Sequence, residues 1–409
     1  MTALPSLADT DWLKAPGLQC VFRAIASAGG EARVAGGAVR NALLGEAVAD
    51  IDVATTLKPD EIMAAGKAAG LGVHPTGIDH GTVTLTHHGV PYEVTTLRVD
   101  TETFGRRARV AFTSDWESDA RRRDFTMNAL YCDDQGKIYD FVDGYTDILN
   151  RRVRFIDDPA ARIREDYLRI LRFFRFHARY GGGSPDREGL RACIRFRRGL
   201  DHLSRERIRA ELFKLLVAPG AVKTLSIMAA KGILRHIIPH TDQFAALAHM
   251  ARVDAVNGLV PDALCRLALL AQYPDELKEG LKLSNEENRR LAQMTKEIVV
   301  SPALRPNERR AMLYALGVQD WTDAVRLSWA RSRARAGNGE WQALLQLPGQ
   351  WPIPRFPVQG GDLLRRGIPA GPALGERLRQ IEDWWIATDF RADKDELLAR
   401  FVPREGQIS

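Results

Sequence analysis

An α/β head on a small sheet followed by an all-helical remainder is the fold class this sequence predicts, and three observations carry it. Over the first 150 residues, short β-branched runs alternate with glycine-punctuated turns. After Asp157-Asp158-Pro159 the apolar spacing changes to a helical period and nothing strand-like follows. At 409 residues, 45% apolar and 27% charged, the chain is too long for one small core, so two to four domains are expected.

In chain order, Val34-Ala35, Ile51 to Thr55, Thr82 to Thr86 and Tyr92 to Thr96 read as strands, the last two joined by a hairpin through His88-Gly89-Val90. Helical patterns lie between them at Val39 to Leu44 and Asp60 to Ala69. The stretch Asp100 to Asp119 is polar, charged and aperiodic. It reads either as a mobile loop beside the site or as a disordered linker. Ile163, Tyr167, Ile170, Leu171 and Phe174 then recur at the spacing of one long amphipathic helix, which Gly181-Gly182-Gly183-Ser184-Pro185 breaks. A proline-rich stretch from Leu347 to Pro357 sets off a final helical unit.

The formal charge of +6 and pI near 9.2 are modest for this length. Their distribution says more. From Arg151 to Arg179 there are nine arginines against four acids, and Arg187 to Arg209 is a second arginine-rich run. A planar guanidinium donates two hydrogen bonds to one phosphate, so these runs suit either RNA backbone or a plain solvated face. Cys20, Cys132, Cys193 and Cys265 lie far apart with no CxxC pair, which argues against a zinc site or a disulfide framework and fits a reducing cytoplasm. No basic stretch followed by an apolar run opens the sequence and no 18 apolar residues occur together, so neither export nor a membrane is expected.

The chemistry concentrates in VAGGAVRNALLGEAVADIDVAT, Val34 to Thr55. A strand runs into Gly36-Gly37, a helix follows, Gly45 stops it, and a second strand is expected to carry Asp50 and Asp52. Residues i and i+2 of a strand point to one side, so the two carboxylates would converge while Ile51 and Val53 face the core. Convergent carboxylates are the hard ligands that divalent ions on a triphosphate require. Glycines before a helix let phosphate approach the backbone. Farther on, Glu165 and Asp166 precede Arg169 by four and three residues, and on a continuous helix both would touch it. Glu93 is a further acid on a strand, either solvent-facing or a third metal-site carboxylate.

These residues, in this order, resemble the nucleotidyltransferase superfamily that contains the class II CCA-adding enzymes and the bacterial poly(A) polymerases. Its first motif reads GGxVRD, LLG, DxD; the sequence departs from it at Asn41, where aspartate is usual. RRDFTMNAL (Arg122 to Leu130) is similar to the second motif and DGYTDI (Asp143 to Ile148), more loosely, to the hinge motif. EDYLRILRFFRF (Glu165 to Phe176) resembles EDxxRxLRxxRF, and LSRERIRAEL (Leu203 to Leu212) the helix that supports it. Weaker body and tail elements are LKLSNEE at Leu281 and GGDLLRRGIPAGPALG at Gly360.

The resemblance implies an α/β nucleotidyltransferase head with a small mixed sheet, residues 1–155, then all-α neck (156–217), body (218–345) and tail (346–409) domains. It implies Asp50 and Asp52 as catalytic carboxylates holding Mg²⁺, with Glu93 as the candidate third ligand. Gly36, Gly37, Arg40, Arg122, Arg123, Asp124, Asn128, Glu165, Asp166, Arg169 and Arg172 are the implied nucleotide-binding residues. The implied reaction is untemplated addition of C and A from CTP and ATP to the 3′ end of tRNA. Poly(A) polymerase and an A-adding enzyme share these motifs, and an RNA-binding protein without catalysis is the remaining alternative, against which the intact Asp50/Asp52 pair speaks. No His is followed directly by Asp, so a fused phosphohydrolase is unsupported. Oligomeric state is left open.

Overall fold

The computed structural model describes residues 4–104, 107–273, 276–296 and 298–402. The chain divides into two compact units, one ending at Pro239 and the other beginning at His240.

The first unit opens with α1 (Pro16–Ser27) and β1 (Ala32–Ala35), and continues through α2 (Gly37–Leu43), β2 (Asp52–Thr55), α3 (Pro59–Ala68), β3 (Gly72–Gly77), β4 (Thr82–His87) and β5 (Val90–Thr96). Next come β6 (Arg98–Phe104), β7 (Arg107–Phe112), α4 (Trp116–Arg121), β8 (Leu130–Cys132), β9 (Ile138–Asp140) and α5 (Gly144–Leu149). Seven strands form one sheet in the order β3-β4-β5-β2-β1-β8-β9. Only the β2–β5 pairing is parallel, so the sheet is mixed as expected. Alternation sorts its faces: Tyr92 and Val94 of β5 are buried while Glu93 between them is exposed.

The expected loop from Asp100 to Asp119 is instead structured. β6 and β7 pair antiparallel as a separate two-stranded ribbon, and α4 follows, its first amides capped by the Asp115 carboxylate. The polar composition hid these strands, because the sequence offers no alternation of apolar and polar residues to mark them. Trp116 and Ala120 of α4 pack with Leu97, Tyr131 and Ile156 in the core under the sheet.

The rest of this unit is helical: α6 (Pro159–Glu165), α7 (Leu168–Tyr180), α8 (Arg187–Phe196), α9 (Arg205–Leu216) and α10 (Ala221–Ala230). The single helix expected through Ile163 and Phe174 is two. Asp166 is extended, at φ −153° and ψ 108°, and its carboxylate accepts from the Leu168 amide at 3.1 Å. A short acidic side chain that bonds its own downstream backbone competes with the helical hydrogen bond, and here it wins.

The second unit holds α11 (Phe244–Val256), α12 (Ala263–Leu270), α13 (Leu277–Leu281), α14 (Asn285–Thr295), α15 (Pro306–Arg331), α16 (Gly339–Gln350), α17 (Gly360–Leu364), α18 (Pro372–Ala387) and α19 (Lys394–Phe401). Gly317, at φ 75°, kinks α15 where a Cβ would be strained. One apolar core gathers Trp321, Trp329 and Trp341; another gathers Leu363, Ile381, Trp385 and Leu397. The proline-rich break begins later than expected, because α16 runs through Pro348 to Gln350. No helix among the described residues is long and apolar enough to cross a membrane.

Candidate active site

A cleft of about 600 Å³ in the first unit gathers most of the residues singled out above. Gly36 follows β1 at φ +66°, and a Cβ on it would lie 3.2 Å from both Arg123 Nη1 and the Asn128 carbonyl. Glycine is therefore needed twice here, for the backbone conformation and for the room it leaves. Gly37 begins α2, and Asp52 begins β2; all three line the cleft.

Asp50 lies ahead of the strand rather than on it, exposed. Asp52 stands in register with Glu93 across the parallel β2–β5 pair. Burial holds the Asp52 carboxyl above the usual carboxylate range, the negative charges of Glu93 and Asp50 push it the same way, and Arg123 opposes them. A cation would relieve the repulsion that Glu93 and Asp50 exert on Asp52. Among the described residues, however, no three His, Cys, Asp or Glu side chains come together as a metal cluster, and neither Asp50 nor Glu93 lines the cleft. The oxygen donors of Asp50 and Asp52 are of the hard type that would hold a divalent ion.

Arg40 is buried, yet the side chains it hydrogen-bonds are all neutral. Its guanidinium donates to Asn128 Oδ1 at 2.5 Å, Tyr180 Oη at 2.8 Å and Asn41 Oδ1 at 2.9 Å, and sits 4.2 Å from the centre of the Tyr180 ring. Burial lowers its pKa, with Tyr180 opposing. Asn41 thus keeps the hydrogen bond that an aspartate would make without adding a countercharge, and the negative charges that act on Arg40 are those of Glu46 and Asp124 nearby.

Arg122 and Arg123 are clamped from behind by Asp119 of α4, which is 1% exposed. Asp119 accepts from Arg122 Nε at 2.7 Å, Arg123 Nη2 at 3.1 Å and the Tyr131 hydroxyl at 2.7 Å. Burial works against the Asp119 charge, but Arg123 and Arg122 outweigh it and hold the carboxyl below its ordinary range. Asp124 accepts from Arg172 Nε at 2.8 Å and from Asn128 Nδ2 at 3.0 Å, joining the sheet side to α7.

The expected contact between Asp166 and Arg169 is absent, because the break between α6 and α7 separates the two side chains. Glu165 does pair with Arg169, and Arg162 holds Glu165 at 2.9 Å. Asp166 instead accepts from Arg207 of α9 at 2.6 Å. Asp166 and Arg169 both line the cleft, each braced by a partner of its own, while Glu165 stands behind them. From α9, Glu211 likewise accepts from Arg175 at 2.5 Å.

His80, Arg98 and Phe176 also line the cleft and were not foreseen. His80 and Arg98 arrive from the turn after β3 and from the first residue of β6, and no local motif marks them. Phe176 closes the EDYLRILRFFRF run and was readable there only as core.

Fold and cleft together define a nucleotidyltransferase. Residues 32–154 match the family described as the poly A polymerase head domain, and residues 184–244 match a probable RNA- and SrmB-binding site of polymerase A. The chain is 35% identical over 401 residues to the mitochondrial CCA tRNA nucleotidyltransferase 1 of Mus musculus, covering 94% of this chain and 89% of that one. It is 32% identical over 376 residues to the CCA-adding enzyme of Leuconostoc citreum, covering 89% and 90%. The crystal structure of the Bacillus stearothermophilus CCA-adding enzyme in complex with CTP superposes with a TM-score of 0.77 at 26% identity, over 93% of this chain and 95% of that one. The chain belongs to the CCA-adding tRNA nucleotidyltransferase family.

Proposed function

We propose that this protein adds C and A to the 3′ end of tRNA from CTP and ATP, without a template and with release of pyrophosphate. The observation that carries the reading is one cleft lined by a carboxylate and a guanidinium braced separately, Asp166 by Arg207 and Arg169 by Glu165, together with Gly36-Gly37 and Asp52.

The 3′-hydroxyl oxygen of the RNA bonds to the α-phosphorus, the bond from that phosphorus to the β-bridging oxygen breaks, and the hydroxyl proton passes to solvent. Arg40, Arg122 and Arg123 are the charges offered to the triphosphate, Arg40 because its side-chain hydrogen bonds go to neutral groups and the other two because Asp119 fixes their direction. Asp124 and Asn128 orient Arg172 and Arg40. Asp50 and Asp52 would hold Mg²⁺, with Glu93 beside Asp52 as the candidate third ligand. When bound, the ion lowers the pKa of the attacking hydroxyl and neutralises charge on the triphosphate.

Cytosine and adenine each present an amino donor beside a bare ring nitrogen; Asp166 accepts from the first and Arg169 donates to the second. Guanine and uracil present a carbonyl beside a ring N–H and meet like groups. We read residues 1–155 as the head, 156–217 as the neck, 218–345 as the body and 346–409 as the tail. All four cysteines are free, which suits a reducing cytoplasmic setting.

The deciding assay offers tRNAs ending before, within and after CCA with each triphosphate separately, and reads added length on a gel. C then C then A, stopping there, supports the reading. Unlimited A addition would make the protein a poly(A) polymerase, and A on tRNA ending in CC alone an A-adding enzyme.

A further inference from the structure

Asp50 lies ahead of β2 and is exposed, so strand pairing does not hold it, whereas Asp52 two residues later is in register with Glu93. Residues 45–51 join α2 to that strand. Among the described residues, a single hydrogen bond reaches residues 47–50: Asn41 Nδ2 donates to the Ala47 carbonyl at 3.3 Å. Glu46, just before, is held by its amide, which donates to the Asn41 carbonyl at 2.8 Å, and by its carboxylate, which accepts from Arg179 at 2.8 Å. The Arg179 side chain is 46% exposed, and an ion pair so open to water holds a backbone only weakly.

The other end of the Asn41 amide faces Arg40. Its Oδ1 accepts from Arg40 Nη2 at 2.9 Å and from Arg40 Nε at 3.2 Å. A guanidinium carries donors only, so the amide oxygen must face it, and the amide nitrogen is then turned toward the Ala47 carbonyl. The two neighbours together leave one orientation for this side chain. An aspartate, usual here in the motif that the sequence resembles, could take both bonds from Arg40. It would then set a carboxylate oxygen against the carbonyl oxygen of Ala47. An amide makes both contacts at once; a carboxylate cannot.

We infer that Asn41 is a positioning residue that ties the segment carrying Asp50 to Arg40, and so fixes a carboxylate that the sheet itself does not hold. The departure of this sequence from the motif is thereby a working part of the site. One side chain links an arginine offered to the triphosphate with an acid offered to the ion, so the two meet the same nucleotide at a set spacing. Its action on the ion is indirect, through three residues of backbone, and the bond is partly solvated, so its effect is modest beside that of Asp50. The inference rests on the assignment of Asp50 to the metal.

The test measures Mn²⁺ binding to the full chain without nucleotide, from the EPR signal of the free ion, in wild type, N41A, N41D, D50A and N41A/D50A. D50A should weaken binding most. N41A should weaken it by about 2- to 10-fold, and should raise by a similar factor the Mg²⁺ concentration at half-maximal CTP incorporation. N41D should weaken Mn²⁺ binding as well, although its added charge attracts cations, because the donor to Ala47 is gone. In the double variant N41A should cost less than about twofold beyond D50A, since the segment then brings nothing to the ion. A general loss of structure would instead cost the same factor in both backgrounds. Equal costs in both backgrounds, unchanged affinity in N41A, or wild-type affinity in N41D would each overturn the role of Asn41 and leave Asp50 on the metal. Unchanged affinity in D50A would remove Asp50 from the metal and the inference with it.

Discussion

Asp119 Oδ1 lies 2.7 Å from Arg122 Nε, and this pairing, with that of Arg123 on the other oxygen, makes one buried acid the anchor of both arginines in the lining of the cleft. Asp119→Asn keeps the shape but leaves two guanidinium groups without their charge partner. Breaking a buried pair costs about 3–5 kcal/mol, which for a unit of this size is a fall of about 6–20 °C in Tm. Calorimetry checks it, and a Tm within about 2 °C of wild type would mean that water screens the pair.

The same carboxylate sets a pH dependence. Asp119, Asp124 and Asp262 are all held below their ordinary 3.8, burial opposing in each and the neighbouring arginines and hydrogen bonds prevailing. With the folded pKa depressed, the unfolded chain takes up protons first as pH falls. The stabilisation is therefore complete well above pH 3.8 and is lost through 3.8 toward the lower folded values. Wild-type stability should fall steeply below about pH 4. Asp119→Asn should flatten that limb, and an unchanged slope in the variant would rule Asp119 out as a contributor.

Asp50→Ala and Asp52→Ala should each abolish incorporation, by about a thousandfold or more, while tRNA binding persists. Removing negative charge does not hinder an anionic ligand, so the two readouts separate catalysis from folding. Retention of a tenth of wild-type activity in either variant would contradict their assignment to the metal.

What could be read in the chain, and what could not, divides by sequence distance. Gly36-Gly37, Arg122 to Asn128 and Asp166 to Arg172 were legible because their spacing is local, and most of them reach one cleft. Their partners were not. Tyr180 meets Arg40 from 140 positions away, Arg207 meets Asp166 from 41 and Glu211 meets Arg175 from 36, pairings decided by how helices pack and not by any period. The break at Asp166 was hidden for another reason: the apolar residues on either side of it keep the periodicity of one continuous helix, so the pattern alone cannot show the interruption.

Along α8 and the turn after it, Arg187, Arg191, Arg195 and Arg198 are exposed and, among the described residues, none pairs with a carboxylate. At 1.5 Å per residue the first three span about 12 Å of one helix face. If the stripe neutralises phosphates, four contacts contribute about −3 to −4 to the salt slope of tRNA binding. Alanine at all four should remove that share; affinity that stays flat between about 50 and 200 mM salt in the wild type would leave the stripe merely solvated.

The separate bracing of Asp166 and Arg169 yields the sharpest test of the proposed nucleotide choice. Because Arg207 holds one carboxylate oxygen of Asp166 at 2.6 Å, the acid keeps its direction without help from Arg169, whose own brace is Glu165. A mismatched base opposes like groups at both positions, at about 1–3 kcal/mol each, so CTP and ATP should be preferred over UTP and GTP by roughly 30-fold to several thousandfold. Asp166→Ala removes one of the two tests and should reduce that ratio by about 5- to 100-fold while slowing C and A addition. Arg207→Ala leaves the carboxylate in place but loose, so its selectivity should fall less than that of Asp166→Ala, and Arg207→Lys should recover part of it. A purely structural ion pair would lower Tm and rate and leave the ratio untouched. Steady-state incorporation of all four triphosphates by wild type and the three variants separates these outcomes: an unchanged ratio in Asp166→Ala would take base selection away from this pair, whatever happened to the rate.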